Sequence, residues 1–379
     1  MNIVIAPDAY KESLSAVEVA QAIAAGFTDV LPSAKLINIP MADGGEGSAA
    51  TITTALGGQL LPVTVHDPLG RPIVAHYGLS PDGATAIIEM AACSGLQLVS
   101  PSERQPLTSS SQGMGEAILA ALDRGARRLL LCIGGSATTD GGMGLLQALG
   151  VRFLAQDGQS LGPGGAALAR LETIDVQGLD PRLADCQIDI ACDVTNPLVG
   201  PNGAAVIFGP QKGATAADVA LLDQALNHYA HKIQHTLNLA VADLAGTGAA
   251  GGMGAALMAF LKGRLRPGHE LIAEAVGLAQ HVAEADWVIT GEGRIDGQTI
   301  FGKTPMGVAT LAKQYGKPVI AIAGGYGDDA YLVHQHGIDA VFSAVHEPST
   351  LDAALANAAA NVRQTARNVA AVIKLAQPV

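Results

Sequence analysis

Residues 2–11 read NIVIAPDAYK, a short apolar run that leads directly into a polar loop carrying Asp8 and Lys11. The same arrangement recurs along the chain, where polar loops of glycine, hydroxyl and carboxylate residues often follow brief apolar runs. Glycine lets the main chain approach closely, so such loops present backbone N–H groups to anions. Together with carboxylates that can hold Mg²⁺, this is what phosphoryl transfer requires. The other loops are ADGGEG (42–47), GGSATTDGG (134–142), GTGAAGGMG (246–254), GEGRIDGQTIFGK (291–303) and GGYGDD (324–329).

Short apolar runs alternate with helical periodicity at both ends of the chain. Residues 2–6 predict a strand, Ser15 and Glu18 predict a capping box that opens a helix through Phe27, and residues 35–39 predict a second strand. Such alternation implies a parallel sheet flanked by helices. The C-terminal part repeats it, with strands at 286–290, 319–323 and 340–345, helices at 306–315 and 328–336, and a final docking helix at 353–371.

The middle of the chain has a different pattern. Residues 61–89 predict short strands joined by Pro/Gly turns, in an antiparallel or mixed sheet, and residues 158–212 are rich in turns and loops. We therefore expect an α/β protein in which a doubly wound parallel-sheet (Rossmann-like) domain is discontinuous and encloses an inserted mixed α/β domain. The expected domains are residues 1–60 with 275–379, and residues 61–274, with the active site in the cleft between them.

Composition limits the classes of partner. The 379 residues are 49% apolar, 15% charged and 3% aromatic, a balance typical of a globular chain and not of a disordered one. A formal net charge of −12 and an isoelectric point near 5.2 argue against nucleic-acid binding, which needs clustered Lys and Arg. An anionic substrate would have to be met by a few local cations.

The cysteines and the apolar segments indicate a cytoplasmic protein with no membrane partner. No CxxC pair occurs among the four cysteines, so neither a zinc site nor a disulfide framework is predicted. The first apolar run is too short for a signal peptide. Residues 244–261 approach membrane-spanning length, but Gly, Ala and Thr dominate their first half, which predicts a buried loop and helix.

One short pattern matches the P-loop of nucleotide-binding proteins. Gly297, Gly302, Lys303 and Thr304 satisfy GxxxxGK[ST], in which backbone N–H groups wrap phosphates and the hydroxyl binds Mg²⁺. A true P-loop leaves a strand directly, whereas GEGRID intervenes after Thr290. The context therefore disfavours a P-loop.

A second pattern matches a dinucleotide-binding turn. Gly246, Gly248 and Gly251 satisfy GxGxxG, and Glu270 lies close to the spacing expected of a ribose-binding acid. The preceding segment, LNLAVADLA, is a poor strand, and abundant glycine makes chance matches common. An NAD-dependent hydroxyacid dehydrogenase stays an alternative only if a strand precedes this turn.

Six segments together resemble the bacterial glycerate kinase family, of the glycerate 2-kinase type. They occur in the family's order and cover essentially the whole chain. Ala9, Tyr10 and Glu12 stand where Ser, Phe and Gly are common in the family, but Asp8 and Lys11 are kept. The segments are APDAYKESLSA (6–16), PMADGGEG (40–47), GGSATTDGG (134–142), DVTNPLVGPNGAAVIFGPQKGA (193–214), GAAGGMGAAL (248–257) and GEGRIDGQTIFGKTPMGVA (291–309).

The resemblance implies an ATP-dependent kinase that uses Mg²⁺ and phosphorylates D-glycerate. On the resemblance alone, the 2-hydroxyl is the expected acceptor and the product is 2-phosphoglycerate. Three alternatives remain: the same enzyme giving 3-phosphoglycerate, the hydroxyacid dehydrogenase, and a non-catalytic sugar-acid sensor. D-Glycerate and ATP are the expected partners, and a homodimer is a possible assembly.

The chemistry of phosphoryl transfer, mainly positioning and charge neutralisation, assigns candidate roles within this resemblance. The candidate catalytic residues are Lys11, Asp43, Asp193 and Asp296. The candidate cofactor-binding residues are Gly134, Gly135, Ser136, Thr138, Lys212, Gly248, Gly251, Gly252, Gly291, Gly293 and Lys303. The candidate substrate-binding residues are Asp8, Arg71 and Arg294. The candidate metal ligands are Asp43, Glu46 and Asp193.

Overall fold

The computed structural model describes residues 1–300 and 303–376. The strands are β1 (Asn2–Ile5), β2 (Lys35–Asn38), β3 (Gln59–His66), β4 (Pro72–Leu79), β5 (Thr85–Glu89), β6 (Arg128–Cys132), β7 (Arg152–Leu154), β8 (Thr173–Asp175), β9 (Gln187–Ala191), β10 (Arg264–Arg266), β11 (Trp287–Thr290), β12 (Arg294–Ile295), β13 (Val319–Ala323), β14 (Gly325–Tyr326) and β15 (Ala340–Ser343). The α-helices are α1 (Ala16–Thr28), α2 (Ser48–Ala55), α3 (Met90–Ser94), α4 (Gln112–Asp123), α5 (Met143–Ala148), α6 (Ala204–Phe208), α7 (Ala216–Leu237), α8 (Ala249–Leu261), α9 (Gly268–Ala275), α10 (Leu278–Ala283), α11 (Thr304–Gln314), α12 (Leu351–Ala356) and α13 (Ala358–Leu375). The 3₁₀ helices span Leu96–Leu98, Pro101–Glu103, Gly165–Arg170, Pro181–Asp185, Pro210–Lys212 and Ala330–His336.

The chain divides into two compact units. Unit 1 comprises Met1–Asp43 and Gly268–Val379, and unit 2 comprises Gly44–Pro267. Each unit has its own hydrophobic core. Relative to the boundaries expected from the sequence, residues 44–60 belong to the inserted unit and residues 268–274 belong to unit 1.

Unit 1 contains a five-stranded, fully parallel sheet with the strand order β15-β13-β11-β1-β2. Numbered within the unit alone, this is the doubly wound order 2-1-3-4-5, and it confirms the predicted Rossmann-like class. β1 is an interior strand next to the edge strand β2, and its Ile3 lies opposite Trp287 of β11 and Leu36 of β2. The strand order reverses between β1 and β11, and ligands of doubly wound sheets bind at the carboxyl ends of such strands.

The helices of unit 1 follow the sequence signals closely at the N-terminus. Ser15 caps α1, its side chain accepts from the Glu18 N–H, and the Glu18 carboxylate accepts from Ser15, so the predicted capping box is present. α1 packs against α13 through Gly26, where a side chain would collide with the α13 backbone.

The C-terminal helices differ in part from their prediction. The expected helix at 328–336 is a 3₁₀ helix at Ala330–His336. The expected final helix at 353–371 is two helices, α12 and α13, because the helical conformation is interrupted at Asn357. The side chains of Val362, Ala366 and Val369 lie along one face of α13 and are buried in the core of unit 1.

Unit 2 contains a six-stranded mixed sheet with the order β10-β9-β6-β5-β4-β3. β3, β4 and β5 form an antiparallel meander, as the Pro/Gly turns predict, whereas β5, β6, β9 and β10 run parallel. A second, two-stranded sheet pairs β7 with β8. The mixed α/β class of the inserted domain is therefore confirmed.

The segment 244–261 is a loop followed by α8, as predicted. No strand precedes Gly246, because residues 238–245 form bends and loops. Ala250, Gly251 and Gly252 adopt left-handed backbone conformations at the start of α8. Among residues 1–300 and 303–376, no helix has the length and apolar character needed to span a bilayer.

Candidate active site

Asp8 and Glu292 lie at the switch point of the unit 1 sheet, just beyond the carboxyl ends of β1 and β11. The Asp8 N–H donates to the Gly291 carbonyl at 2.8 Å, which ties the two loops together. Gly291 has no room for a side chain, because a Cβ there would collide with the Ile322 carbonyl. Glycine at position 291 is therefore required for packing, whether or not it also contacts a cofactor.

Asp8 is half-buried in an environment that disfavours its charge. Burial and, next, the negative charge of Asp43 raise the pKa of Asp8 from 3.8 to about 7. One carboxylate oxygen accepts from the Ala9 N–H at 2.7 Å. A carboxyl group with a pKa close to neutral is suited to accept and release a proton.

Lys11 and Asp43 form an ion pair in unit 1. The Lys11 Nζ lies 3.3 Å from an Asp43 carboxylate oxygen. The charge of Asp43 raises the pKa of the Lys11 ammonium, which is therefore positive at neutral pH. Because 85% of the Lys11 side chain is exposed, it can also reach a ligand. Asp43 and Asp8 repel each other, so these two predicted residues belong to one electrostatic cluster.

Glu292 forms a second group of charges with the loop that follows it. The Thr299 hydroxyl donates to Glu292 at 2.7 Å, and Lys303 Nζ lies 3.5 Å from the other carboxylate oxygen. Lys303 also lies 3.9 Å from Asp296, which pairs with Arg294 at 3.4 Å. Burial raises the pKa of Glu292. The predicted residues Arg294, Asp296 and Lys303 are thus brought together.

α11 begins at Thr304, with Lys303 as its N-cap residue. Thr304 is fully buried, and its hydroxyl lowers the pKa of Asp8, although it completes no hydrogen bond of standard geometry among the described residues. β12 lies between β11 and Lys303, so the loop does not leave a strand directly as a P-loop would. Gly302 of the P-loop pattern lies outside the described residues.

In unit 2, the loop 44–47 is tied to the carboxyl ends of the parallel strands. The Gly134 N–H donates to the Gly44 carbonyl at 3.1 Å. Glu89, at the end of β5, accepts from the Gly47 N–H at 3.0 Å and from the Ala49 N–H at 2.9 Å. This carboxylate therefore neutralises the N-terminal end of α2.

Glu46 and Asp193 lie at this same edge of the unit 2 sheet and are exposed. Glu46 is within the tethered loop, and Asp193 follows β9, whose last residue, Ala191, packs against Gly44. The two predicted metal ligands are therefore in the same region as Gly134. In residues 1–300 and 303–376, no three His, Cys, Asp or Glu side chains are grouped as a metal site by themselves.

Lys212 is not placed as the sequence predicted. The expected direct phosphate contact requires an accessible ammonium, but the residue is only 2% exposed. Its Nζ donates to Ser136 Oγ at 2.8 Å and to the Thr138 carbonyl at 2.6 Å. Burial lowers the pKa of Lys212 to about 7. Lys212 therefore stabilises the loop after β6 from the buried side, through its hydrogen bonds with Ser136 and Thr138.

The glycines of α8 are packed against the same loop. A side chain at Gly251 would collide with the Thr138 carbonyl, and one at Gly252 would lie 2.8 Å from the Cα of Gly141. Gly248 is likewise pressed against a neighbouring backbone oxygen. In unit 1, a Cβ at Gly293 would lie 3.3 Å from the Cα of Tyr10, which is a tight contact. Close packing thus accounts for Gly248, Gly251 and Gly252, and their cofactor contacts stay predictions.

Arg71 lies in the turn between β3 and β4. Its Nε donates to Asp67 at 2.6 Å, and its two other nitrogens donate to Glu103 at 3.1 Å and to the Leu98 carbonyl at 3.2 Å. Because β4 runs antiparallel to β5, this turn lies beyond the carboxyl end of β5. Arg71 is therefore near the edge that carries Glu89, but its guanidinium already has protein partners.

Three buried polar residues received no role from the sequence. Glu89 and Glu292 each come at or just after the end of an apolar strand, which is a signal that could have identified them. In the sequence, only the P-loop pattern marks Thr304, and its position beside Asp8 depends on the pairing of β1 with β11.

Comparison with known proteins agrees with this architecture. The sequence profile of the glycerate kinase family matches residues 3–374. The chain is 54% identical to a glycerate 2-kinase of Escherichia coli K12, covering 99% of this chain and 98% of the relative, and 51% identical to a glycerate kinase of Bacillus subtilis 168, covering 100% and 99%. A crystal structure named as glycerate kinase 2 from Salmonella typhimurium LT2 superposes with a TM-score of 0.91 at 53% identity and full coverage of both chains. The chain therefore belongs to the glycerate kinase family.

Proposed function

We propose that this enzyme transfers the γ-phosphoryl group of ATP to the 2-hydroxyl of D-glycerate and forms 2-phosphoglycerate. The observation that carries the proposal is the cluster at the switch point of unit 1, where Asp8, Lys11 and Lys303 lie among partly buried carboxylates. A base and nearby cations are what phosphoryl transfer to an alcohol needs. The name of the Escherichia coli relative supports the choice of the 2-hydroxyl.

In the reaction, the 2-hydroxyl oxygen forms a bond to the γ-phosphorus, the bond from that phosphorus to its bridging oxygen breaks, and ADP leaves. The hydroxyl proton passes to the Asp8 carboxylate, whose pKa of about 7 suits a base at neutral pH. Lys11 and Lys303 offset the negative charge on the transferring group. Arg294, which is 70% exposed beside Asp296, binds the glycerate carboxylate.

Glu46 and Asp193 would hold Mg²⁺ in unit 2. Both are exposed carboxylates at the edge where the loop 134–136 lies, and one or two carboxylates plus phosphate oxygens are the usual Mg²⁺ ligands in such sites. Mg²⁺ held there would supply positive charge that offsets the negative charge of the phosphates. Asp43, which was also a candidate ligand, is paired with Lys11 and is assigned to the charge cluster of unit 1.

Product analysis tests the proposal. We expect ADP formation that depends on D-glycerate, and we expect enolase added without a phosphoglycerate mutase to convert the product to phosphoenolpyruvate. A requirement for mutase would assign 3-phosphoglycerate instead. Glycerate binding with no ATP consumption would indicate the sensor.

The dehydrogenase alternative has lost its structural support. It requires a strand directly before the glycine turn at Gly246, and residues 238–245 contain none. Reduction of NAD by the protein with D-glycerate would restore it. A cytoplasmic location and a homodimer stay predictions. Equilibrium sedimentation, which measures the mass of the assembly, tests the homodimer.

A further inference from the structure

The loop after β6 has an unusual internal support. Lys212 is buried, and its ammonium has three donors and no acceptor. Lys212 is therefore the donor in both of its hydrogen bonds, to Ser136 Oγ and to the Thr138 carbonyl. Since Ser136 Oγ accepts from Lys212, the Ser136 hydroxyl proton must point to another partner.

The charge state of Lys212 is supported by a neighbouring carboxylate. Asp140 is fully buried and accepts from the Ser111 N–H and hydroxyl at 2.8 Å each, and from the Gly142 and Gly144 N–H groups at 3.1 Å each. Its negative charge favours the ammonium form of Lys212 against the effect of burial.

Two backbone donors of the same loop have no acceptor among the described residues. The Gly134 N–H donates to Gly44 and the Ala137 N–H donates to Ser94. Between them, the Gly135 and Ser136 N–H groups have no acceptor in the part of the chain that the structure describes. Gly135 is exposed, so a solute can reach this loop. Consecutive N–H groups beside a hydroxyl donor form a typical anion-binding concavity.

We propose that Ser136 is a hydrogen-bond donor to an anionic oxygen of a substrate, and that Lys212 is the positioning residue that fixes the Ser136 hydroxyl in the donating orientation. The Gly135 and Ser136 N–H groups complete the site. The anionic oxygen belongs either to an ATP phosphate or to the glycerate carboxylate. In naming these ligands, the proposal rests on the function proposed above.

The test is a double-mutant cycle of Ser136→Ala and Lys212→Met, with Lys232→Met as the control. Lys232 is also a lysine of unit 2, but it pairs with Glu172 at 3.2 Å. Isothermal titration calorimetry measures the binding of MgATP alone and of D-glycerate alone, and steady-state kinetics measures both KM values and kcat. Ser136→Ala keeps the packing of the loop, so its result stands even if Lys212→Met does not fold.

We expect Ser136→Ala and Lys212→Met each to weaken binding of one ligand by about 10- to 100-fold, which is the usual cost of losing hydrogen bonds to a charged group. Weaker MgATP binding assigns a phosphate, and weaker glycerate binding assigns the carboxylate. The double variant should bind no more weakly than Ser136→Ala, because Lys212 acts through Ser136. Lys232→Met should match the wild type.

Two results would overturn the proposal. Unchanged binding of both ligands by Ser136→Ala would remove the anion site, and additive losses in the double variant would remove the positioning role of Lys212. A wild-type protein that binds these ligands but forms no phosphoglycerate would disprove the proposed function while leaving the anion site intact.

Discussion

At the scale of single residues, Asp8 combines the two properties that a proton acceptor needs. It is partly accessible, and its pKa lies near 7 because burial and Asp43 disfavour its charge. The same environment means that the ionised form of Asp8 lowers the free energy of unfolding. Its pKa is 3.8 when unfolded and about 7 when folded, so the folded state loses stability as the pH rises between these values.

Replacement of Asp8 by Asn separates these two effects. We expect Asp8→Asn to lower kcat by about 100-fold or more, because the proposed proton acceptor is lost. At pH 8 its thermal unfolding midpoint should exceed that of the wild type, since the wild type carries an ionised Asp8 there. Near pH 4 the difference should vanish, because Asp8 is then protonated in the folded state.

Glu284→Gln is the control for this experiment, because Glu284 is an exposed carboxylate of unit 1. It should change neither kcat nor the pH dependence of the unfolding midpoint. Near-native kcat in Asp8→Asn would transfer the role of base to another carboxylate.

Glu12 has a left-handed backbone conformation with a φ of 65°, at a position where the family commonly has glycine. A left-handed conformation costs an L-residue about 1–2 kcal/mol, and glycine avoids this cost but loses more entropy on folding. Glu12→Gly should therefore stabilise unit 1 by about 0.5–1 kcal/mol. Chemical denaturation measures the change, and Glu12→Ala, which keeps a Cβ, should show no such gain.

The sequence singled out candidate site residues where local context alone indicates the chemistry. Asp8, Lys11 and Lys303 follow strands or precede a helix, and their residue types alone indicated anions and protons. The position of Lys212 could not be found in this way. Its burial depends on contacts with Ser136 and Thr138, more than 70 residues away, and no local pattern encodes them.

At the scale of elements, the N-terminal helix was predictable because its capping box is a local signal that the structure realises. The segment at 330–336 has helical periodicity but is a 3₁₀ helix, ended by Gly337 with a φ of 107°. The break at Asn357 between α12 and α13 has no Pro or Gly to mark it. Tertiary packing decides such details, so periodicity alone could not supply them.

The contact between α1 and α13 depends on the absence of a side chain at Gly26. A Cβ there would lie 2.8 Å from the Cβ of Ala366 and would also collide with the Arg363 carbonyl. Gly26→Leu should therefore lower the free energy of unfolding by at least about 2 kcal/mol, since overpacking forces the helices apart. Gln21→Leu, on the exposed face of α1, should stay within about 0.5 kcal/mol of the wild type. Equal effects in denaturant titrations would show that the contact is not tightly packed.

At the scale of the whole molecule, the inserted unit has the features of an independent folding unit. It is contiguous in sequence, and it has its own sheet and core. We expect a fragment of residues 44–267 to unfold cooperatively on heating, as followed by circular dichroism.

A second fragment tests the boundaries. Residues 61–274, the domain expected from the sequence, lack α2 and the start of β3. α2 packs on β4 and β5, and the Glu89 carboxylate at the end of β5 caps it. The fragment 61–274 should therefore melt at a lower temperature than 44–267. Equal midpoints would favour the boundaries drawn from the sequence, which assign α2 to the other domain because no linker composition marks either junction.

The insertion also sets the order of events during synthesis. β1 pairs with β2 early, but its other neighbour, β11, is translated only after the roughly 220 residues of unit 2. Ribosomes add about 5–20 residues per second, so one edge of β1 stays unpaired for roughly 10 to 45 s. During that time unit 2 can fold, whereas β1, α1 and β2 still lack β11, β13 and β15, the remaining strands of their sheet. The nascent chain thus carries an unpaired strand edge until β11 is made, and the pairing of β1 with β11 has to close a loop across the whole insertion.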